Sequence, residues 1–208
     1  LRMERTRNLL ANMLEYAKYY AAIKGVAAAG SGDMNVDRRL ESIQKLVSTV
    51  TDPLVMDMFA AWKRDRVSCD GLLRMLADLE SYLFRRMICS VSSNGLNKLV
   101  PSLIAKLESA EHDLVETFAA LLLTETAKAT RMPTDEQFRQ ALLGEDLYRP
   151  APRCKYLLGG LENHNHPKDP RSFSEYTVEH IMPQNAMAHA EWRNMLADPD
   201  RFPLLVNS

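Results

Sequence analysis

A glutamate and a histidine stand side by side in residues 176–184, which read Tyr-Thr-Val-Glu-His-Ile-Met-Pro-Gln. The imidazole of His180 can accept a proton from water near pH 7. The carboxylate of Glu179 is the kind of ligand that hard cations such as Mg²⁺ and Mn²⁺ prefer. A base beside a metal ligand suits metal-assisted phosphodiester hydrolysis. The alternative is a structural pair, because an imidazole is often a half-buried side chain with satisfied hydrogen bonds.

The residues around this pair predict a short strand that stops at or before Pro183. Tyr176 and Val178 are of the types that fit a pleated, half-buried surface, and Pro183 cannot donate a hydrogen bond within a sheet. Neighbouring side chains of a strand point to opposite faces, so Glu179 and His180 can serve one site only where the backbone bends. We therefore expect a bend at the end of this strand.

The sequence of residues 177–184 is Thr-Val-Glu-His-Ile-Met-Pro-Gln, and Trp192 follows after a short polar stretch. It resembles the start of the HNH (His-Me finger) nuclease domain of GmrSD-type modification-dependent restriction endonucleases. The resemblance implies His180 as the catalytic base and Glu179 as a ligand of Mg²⁺ or Mn²⁺. It also implies an enzyme of restriction or phage defence that cleaves DNA, in particular modified DNA.

Three upstream segments are similar to the helical region that precedes the nuclease domain in that family. They are residues 80–89 (Glu-Ser-Tyr-Leu-Phe-Arg-Arg-Met-Ile-Cys), 94–98 (Asn-Gly-Leu-Asn-Lys) and 132–138 (Met-Pro-Thr-Asp-Glu-Gln-Phe). Within them Arg85, Arg86 and Lys98 are the candidates for contact with DNA. Neighbours on a helix point about 100° apart, so we expect one arginine inside the bundle and the other facing solvent or DNA.

The resemblance departs from the family pattern at the carboxyl end. The family continues with a Gly-Asn-Leu-Thr-Leu-like strand and a helix that bears a second Asn, and neither appears by Ser208. The family's amino-terminal nucleotide-hydrolysing half is also absent. We therefore expect an internal piece of a larger protein, inactive alone, with a nucleotide-hydrolysing domain or subunit as partner. The alternative is a non-catalytic helical module that binds DNA or docks a subunit.

The composition is that of an ordinary globular protein. With 208 residues, 46% of them hydrophobic, the chain can bury a core. A net charge of −1 supplies no global basic field, so affinity for DNA must come from local patches. Cys69, Cys89 and Cys154 form no Cys-x-x-Cys pair, which excludes an obvious zinc ribbon and favours reduced thiols. Without a secretory signal or a bilayer-spanning run, we expect a cytoplasmic protein with no membrane partner.

Hydrophobic periodicity predicts a mainly α protein, with a helical bundle over residues 1–150 and a small α+β, HNH-like region over 151–208. Helices are expected near residues 1–24, 36–50, 53–62, 71–90, 97–107, 110–129, 134–143, 153–158 and 187–197. Gly159 and Gly160 are expected to end the eighth helix, since glycine weakens helices. His164 and His166 would then lie in a loop, where a His-x-His pair without a third ligand is a weak metal site.

Overall fold

The computed structural model describes residues 2–26, 30–46, 49–111, 113–148, 151–166, 168–169, 171, 173, 175–179 and 185–195. Their helices are α1 (Arg2–Ile23), α2 (Met34–Leu46), α3 (Asp52–Lys63), α4 (Cys69–Ile88), α5 (Leu96–Glu108), α6 (Leu114–Thr124), α7 (Asp135–Gly144), α8 (Ala151–Asn165) and α9 (Ala190–Met195). Short 3-10 turns lie at Thr49–Thr51, Ser93–Gly95 and Ala186–Ala188. The mainly α prediction is confirmed, whereas no strand occurs in the described part of the chain.

The chain divides into two compact units, Leu1–Pro133 and Thr134–Ser208. This division falls earlier than the predicted domain boundary at residue 150. The assignment of residues 151–208 to a nuclease domain stays a prediction. None of the described helices combines the length and the apolar character needed to cross a membrane.

Helix α4 forms the centre of the first unit. Its buried apolar side chains recur every three or four residues, and they are Leu72, Met75, Leu76, Leu79, Tyr82, Leu83 and Ile88. Helices α2, α3 and α6 pack against it. At its start the hydroxyl of Ser68 accepts a hydrogen bond from the N–H of Gly71 at 3.0 Å, which satisfies a donor that the helix itself leaves free.

Helix α1 has the predicted bounds, but its first half is not part of the core. Leu9 and Leu14 are 58% and 61% exposed, and Met13 is 60% exposed. Burial begins only near Tyr19, whose ring lies 5.5 Å from that of Phe59 on α3. The apolar spacing therefore indicated the helix correctly without indicating which of its turns would be covered.

Helix α6 is shorter than predicted at both ends. Asp113 caps its start, where the side chain accepts a hydrogen bond from the N–H of Val115 at 2.8 Å. After Thr124 the carboxylate of Glu125 accepts from the N–H of Ala127 and the hydroxyl of Thr130, both at 3.0 Å. Such local side-chain bonds compete with the helical hydrogen bonds of the backbone, so the helix ends before residue 129, its predicted end.

The second unit opens on α7, whose first turn is closed by a capping box. The hydroxyl of Thr134 accepts from the N–H of Gln137 at 3.2 Å, and the Gln137 side chain accepts from the N–H of Thr134 at 3.0 Å. We expect Thr134→Ala to lower the free energy of unfolding of this unit by about 1 kcal/mol, because an N-cap hydroxyl is lost. Thermal unfolding followed by circular dichroism measures this. Thr134→Ser is the control, since it keeps the hydroxyl, and equal losses in both variants would contradict the prediction.

Helix α8 runs on through Gly159 and Gly160 to Asn165, so the predicted helix end at the glycines is wrong. A glycine inside a helix costs only about 1 kcal/mol relative to alanine, and the surrounding helix tolerates that cost. His164 consequently lies on a helix and not in a loop.

Candidate functional site

The segment that follows α8 leads to the Glu-His pair, and its first part folds back by two turns. The N–H of Asp169 donates to the carbonyl of His166 at 3.1 Å, and the N–H of Tyr176 donates to the carbonyl of Phe173 at 3.2 Å. The rings of Phe173 and Tyr176 pack with centroids 5.3 Å apart. The approach to the pair is thus a folded stretch of chain.

Two side-chain positions of α8 hold this stretch. The amide of Asn163 donates to the carbonyl of Arg171 at 3.0 Å and accepts from the N–H of Arg171 at 2.8 Å. One turn earlier, an ideal Cβ on Gly159 would lie 2.9 Å from Cδ2 of the Phe173 ring. The ring therefore sits directly on the helix backbone, which only glycine permits at this distance. Neither contact is predicted from the sequence, because an isolated Asn and a helical Gly carry no local signal of a distant partner.

Glu179 lies at the surface in irregular backbone. The hydroxyl of Thr177 is 3.4 Å from its Oε1, a weak contact that leaves the carboxylate open to solvent. The predicted strand through Tyr176 and Val178 does not form among the described residues. A strand requires a neighbour that pairs with its N–H and carbonyl groups, and the described part of the chain supplies none beside it.

His180, the predicted base, lies outside the described residues, as does the following stretch 181–184. The geometry between the Glu179 carboxylate and this imidazole therefore stays a prediction. Beyond it, Trp192 on α9 is half-buried, and His189 before α9 is exposed.

The two arginines proposed for DNA contact have different surroundings. Arg86 is 3% exposed, its Nη2 donates to the carbonyl of Ser92 at 2.7 Å, and its guanidinium lies 5.2 Å from the Tyr82 ring centre. A side chain buried in this way cannot reach a phosphate, so we withdraw Arg86 as a DNA contact. Arg85 is half-buried and donates from Nη1 to the carbonyl of Pro133 at 3.3 Å.

Lys98 is exposed on α5, and its role in DNA contact stays a prediction. The expectation that one arginine of the pair lies inside the bundle is met by Arg86, whose guanidinium contacts a carbonyl and an aromatic ring. Burial raises the pKa of that aromatic partner, Tyr82, to about 12, so its hydroxyl stays protonated and donates to the carbonyl of Thr130 at 2.5 Å.

Among the described residues, no three His, Cys, Asp or Glu side chains converge on a point that could hold a metal ion. His166 has Glu162 as its neighbour one turn back, with Nδ1 3.2 Å from Oε1. His164 is exposed on the same helix. The described residues therefore contain no ready-made metal site, and the role of Glu179 as a metal ligand stays a prediction.

Comparison with protein families matches residues 132–205 to the GmrSD restriction endonucleases, C-terminal domain. No curated protein and no solved structure matches the chain. The matched range starts two residues before the second compact unit and contains the Glu-His-Ile-Met-Pro string. The likeness of the upstream segments at residues 80–89 and 94–98 stays a prediction. The family match thus supports the resemblance of residues 132–205 to the C-terminal domain of the GmrSD restriction endonucleases.

Proposed function

We propose that this chain belongs to a metal-dependent DNA endonuclease of the HNH type, which hydrolyses phosphodiester bonds in a restriction or phage-defence system. The observation that carries the proposal is the family match over residues 132–205, with the Glu-His-Ile-Met-Pro string inside it. Modified DNA is the substrate we expect. The match to a restriction endonuclease family supports cleavage of DNA, and the Glu-His-Ile-Met-Pro string supports metal-dependent hydrolysis as its chemistry.

The exposed carboxylate of Glu179 is suited to a divalent cation. Mg²⁺ retains several water ligands and is commonly bound through one or two carboxylates together with phosphate oxygens of the substrate. A single open carboxylate on the protein surface fits that donor set, because the DNA backbone would supply further oxygens. When bound, Mg²⁺ or Mn²⁺ would offset the negative charge that develops on the phosphate.

His180 would act as the general base. Its neutral imidazole takes one proton from the attacking water while the water oxygen forms a bond to phosphorus. The bond from phosphorus to the leaving oxygen breaks, and the protein's contribution is to place water, phosphorus and leaving oxygen in line. Lys98 on α5, which is exposed, and Arg85 on α4, which is half-buried, remain the candidates for phosphate contact.

Cleavage of modified and unmodified plasmid by the natural-length protein tests the proposal, in Mg²⁺ or Mn²⁺ and with or without a nucleoside triphosphate. The discriminating variant is Glu179→Gln, which keeps size and hydrogen bonding but removes the charge that a metal ion needs. We expect its cleavage rate at limiting metal to fall about 10–100-fold and to recover in part as metal is raised, as for other changes at metal sites. Metal titrations of both proteins measure this.

The matched control is Glu175→Gln, an exposed glutamate four residues earlier in the same segment. It should cleave like the wild type at every metal concentration. The proposal fails if Glu179→Gln matches the control, or if the wild type cleaves no substrate with either ion. The second outcome would favour the non-catalytic docking module.

A further inference from the structure

We propose that Asn163 and Gly159 are positioning residues of the nuclease, which fasten the segment before the Glu-His pair to α8. The inference rests on the proposed function. Neither residue touches the reacting atoms in our proposal. They act through the backbone of residues 171–176, which fixes where the chain enters the site.

The register of the two contacts shows that the segment runs antiparallel to the helix. Asn163 meets Arg171, whereas Gly159, four residues earlier, meets Phe173, two residues later. Four helical residues advance about 6 Å, at about 1.5 Å each. The two partners, Arg171 and Phe173, are two positions apart in the chain, and both contacts are present in the structure.

Each residue type suits its contact. The Asn163 amide has both a donor and an acceptor, and it therefore pairs with the carbonyl and the N–H of Arg171 as a neighbouring strand would. Gly159 lies on the same face, since residues four apart on a helix are neighbours. Its missing Cβ leaves space for the Phe173 ring. A hydrogen-bonded clamp and an aromatic contact together fix two points of the segment.

The distance along the chain from these anchors to the pair is short. The ring of Tyr176 packs on Phe173, and the N–H of Tyr176 closes the turn. His180 lies four positions after Tyr176, and four extended residues span at most about 14 Å. Anchoring the segment on α8 therefore restricts the volume that the catalytic imidazole can reach. Effective catalysis depends on that restriction, because misplacement by about 1 Å can cost about 100-fold in rate.

The first test compares Asn163→Ala with Asn165→Ala in the natural-length protein. Asn165 is an exposed asparagine at the end of the same helix, so the two substitutions are chemically equal. In Asn163→Ala we expect amide hydrogen exchange of residues 171–176 to accelerate at least about 10-fold, because the Arg171 N–H loses its acceptor. We expect kcat to fall about 10–100-fold with the KM for DNA unchanged, because placement and not binding is lost.

Asn163→Asp adds a conservative variant to this comparison. Its carboxylate still accepts from the Arg171 N–H but cannot donate to the carbonyl. The rate of amide hydrogen exchange at residues 171–176 and the kcat of this variant should therefore lie between the values for the wild type and for Asn163→Ala. A role in helix stability alone would not produce this order in kcat.

The second test compares Gly159→Ala with Gly160→Ala. An added Cβ at Gly160 meets nothing within 4 Å, so this variant gains helix propensity. Its melting temperature should rise, and its rate of DNA cleavage should stay that of the wild type. At Gly159 the same methyl group displaces the Phe173 ring. The melting temperature of that variant should be lower than that of Gly160→Ala. Its amide hydrogen exchange at residues 171–176 should be faster, and its kcat should be lower.

The outcomes separate this inference from the proposed function. If His180→Ala abolishes cleavage while Asn163→Ala cleaves like Asn165→Ala despite faster exchange, the positioning role is wrong and the nuclease stands. If exchange at residues 171–176 is unchanged in Asn163→Ala, the clamp itself is refuted. If His180→Ala leaves cleavage intact, the proposed function fails first, and the positioning role fails with it.

Discussion

Replacing His180 with alanine is expected to lower the rate of metal-dependent DNA cleavage about 10²–10⁴-fold, which is the usual contribution of a general base. The reason is that water must then lose its proton without a positioned acceptor. Since the imidazole acts on the reacting water, the KM for DNA should change little while kcat falls. The measurement is the initial rate of plasmid nicking at saturating Mg²⁺ or Mn²⁺, on modified and unmodified DNA.

His189→Ala is the control for this experiment. His189 is exposed between the Ala186–Ala188 turn and α9, so its loss should leave both cleavage and melting temperature as in the wild type. Circular dichroism of the two variants checks that both are folded. Equal cleavage by His180→Ala and His189→Ala would assign the observed hydrolysis to another group and remove His180 as the base.

The largest expected effect on stability comes from Phe118→Ala in α6. Phe118 is fully buried, with 0% of its surface exposed, and α6 packs on both α4 and α5. Truncation removes the transfer free energy of an aromatic ring and leaves a cavity that the surrounding side chains fill only in part. We therefore expect the free energy of unfolding of the first unit to fall by about 3–5 kcal/mol.

Urea titration measures this loss, but two compact units can unfold separately, and the signal must then report on the first. The chain has two tryptophans. Trp62 packs edge-on against Phe59 in the first unit, with ring centroids 5.1 Å apart. In a Trp192→Phe background, tryptophan fluorescence therefore follows the first unit alone.

Leu123→Ala on the same helix is the matched control. Leu123 is 71% exposed, so its truncation should change the free energy of unfolding by no more than about 0.5 kcal/mol. A loss below about 1.5 kcal/mol in Phe118→Ala, or equal losses in the two variants, would show that α6 is not packed into the core as described.

The helical bundle could be predicted from the sequence because its signals are local. Ser68 and Thr134 cap their helices through hydrogen bonds to backbone groups three residues away, and the apolar spacing of α4 indicates its buried face directly. The same periodicity failed for α1, where Leu9 and Leu14 stay exposed. Spacing identifies an apolar face, whereas burial requires a second element to cover it, and the spacing alone does not say which turns will be covered.

At the candidate site, too, some features follow from local sequence and others depend on tertiary contacts. The sequence by itself indicated a chemistry, since the Glu-His-Ile-Met-Pro string makes Glu179 and His180 the candidates without coordinates, and their roles stay a prediction. Only the tertiary structure decided that Arg86 is buried, that α8 continues through Gly159, and that Asn163 holds the chain eight residues on. The physical reason is range: caps and motifs act within a few residues, whereas burial, close backbone approach and side-chain clamps depend on partners distant in the sequence.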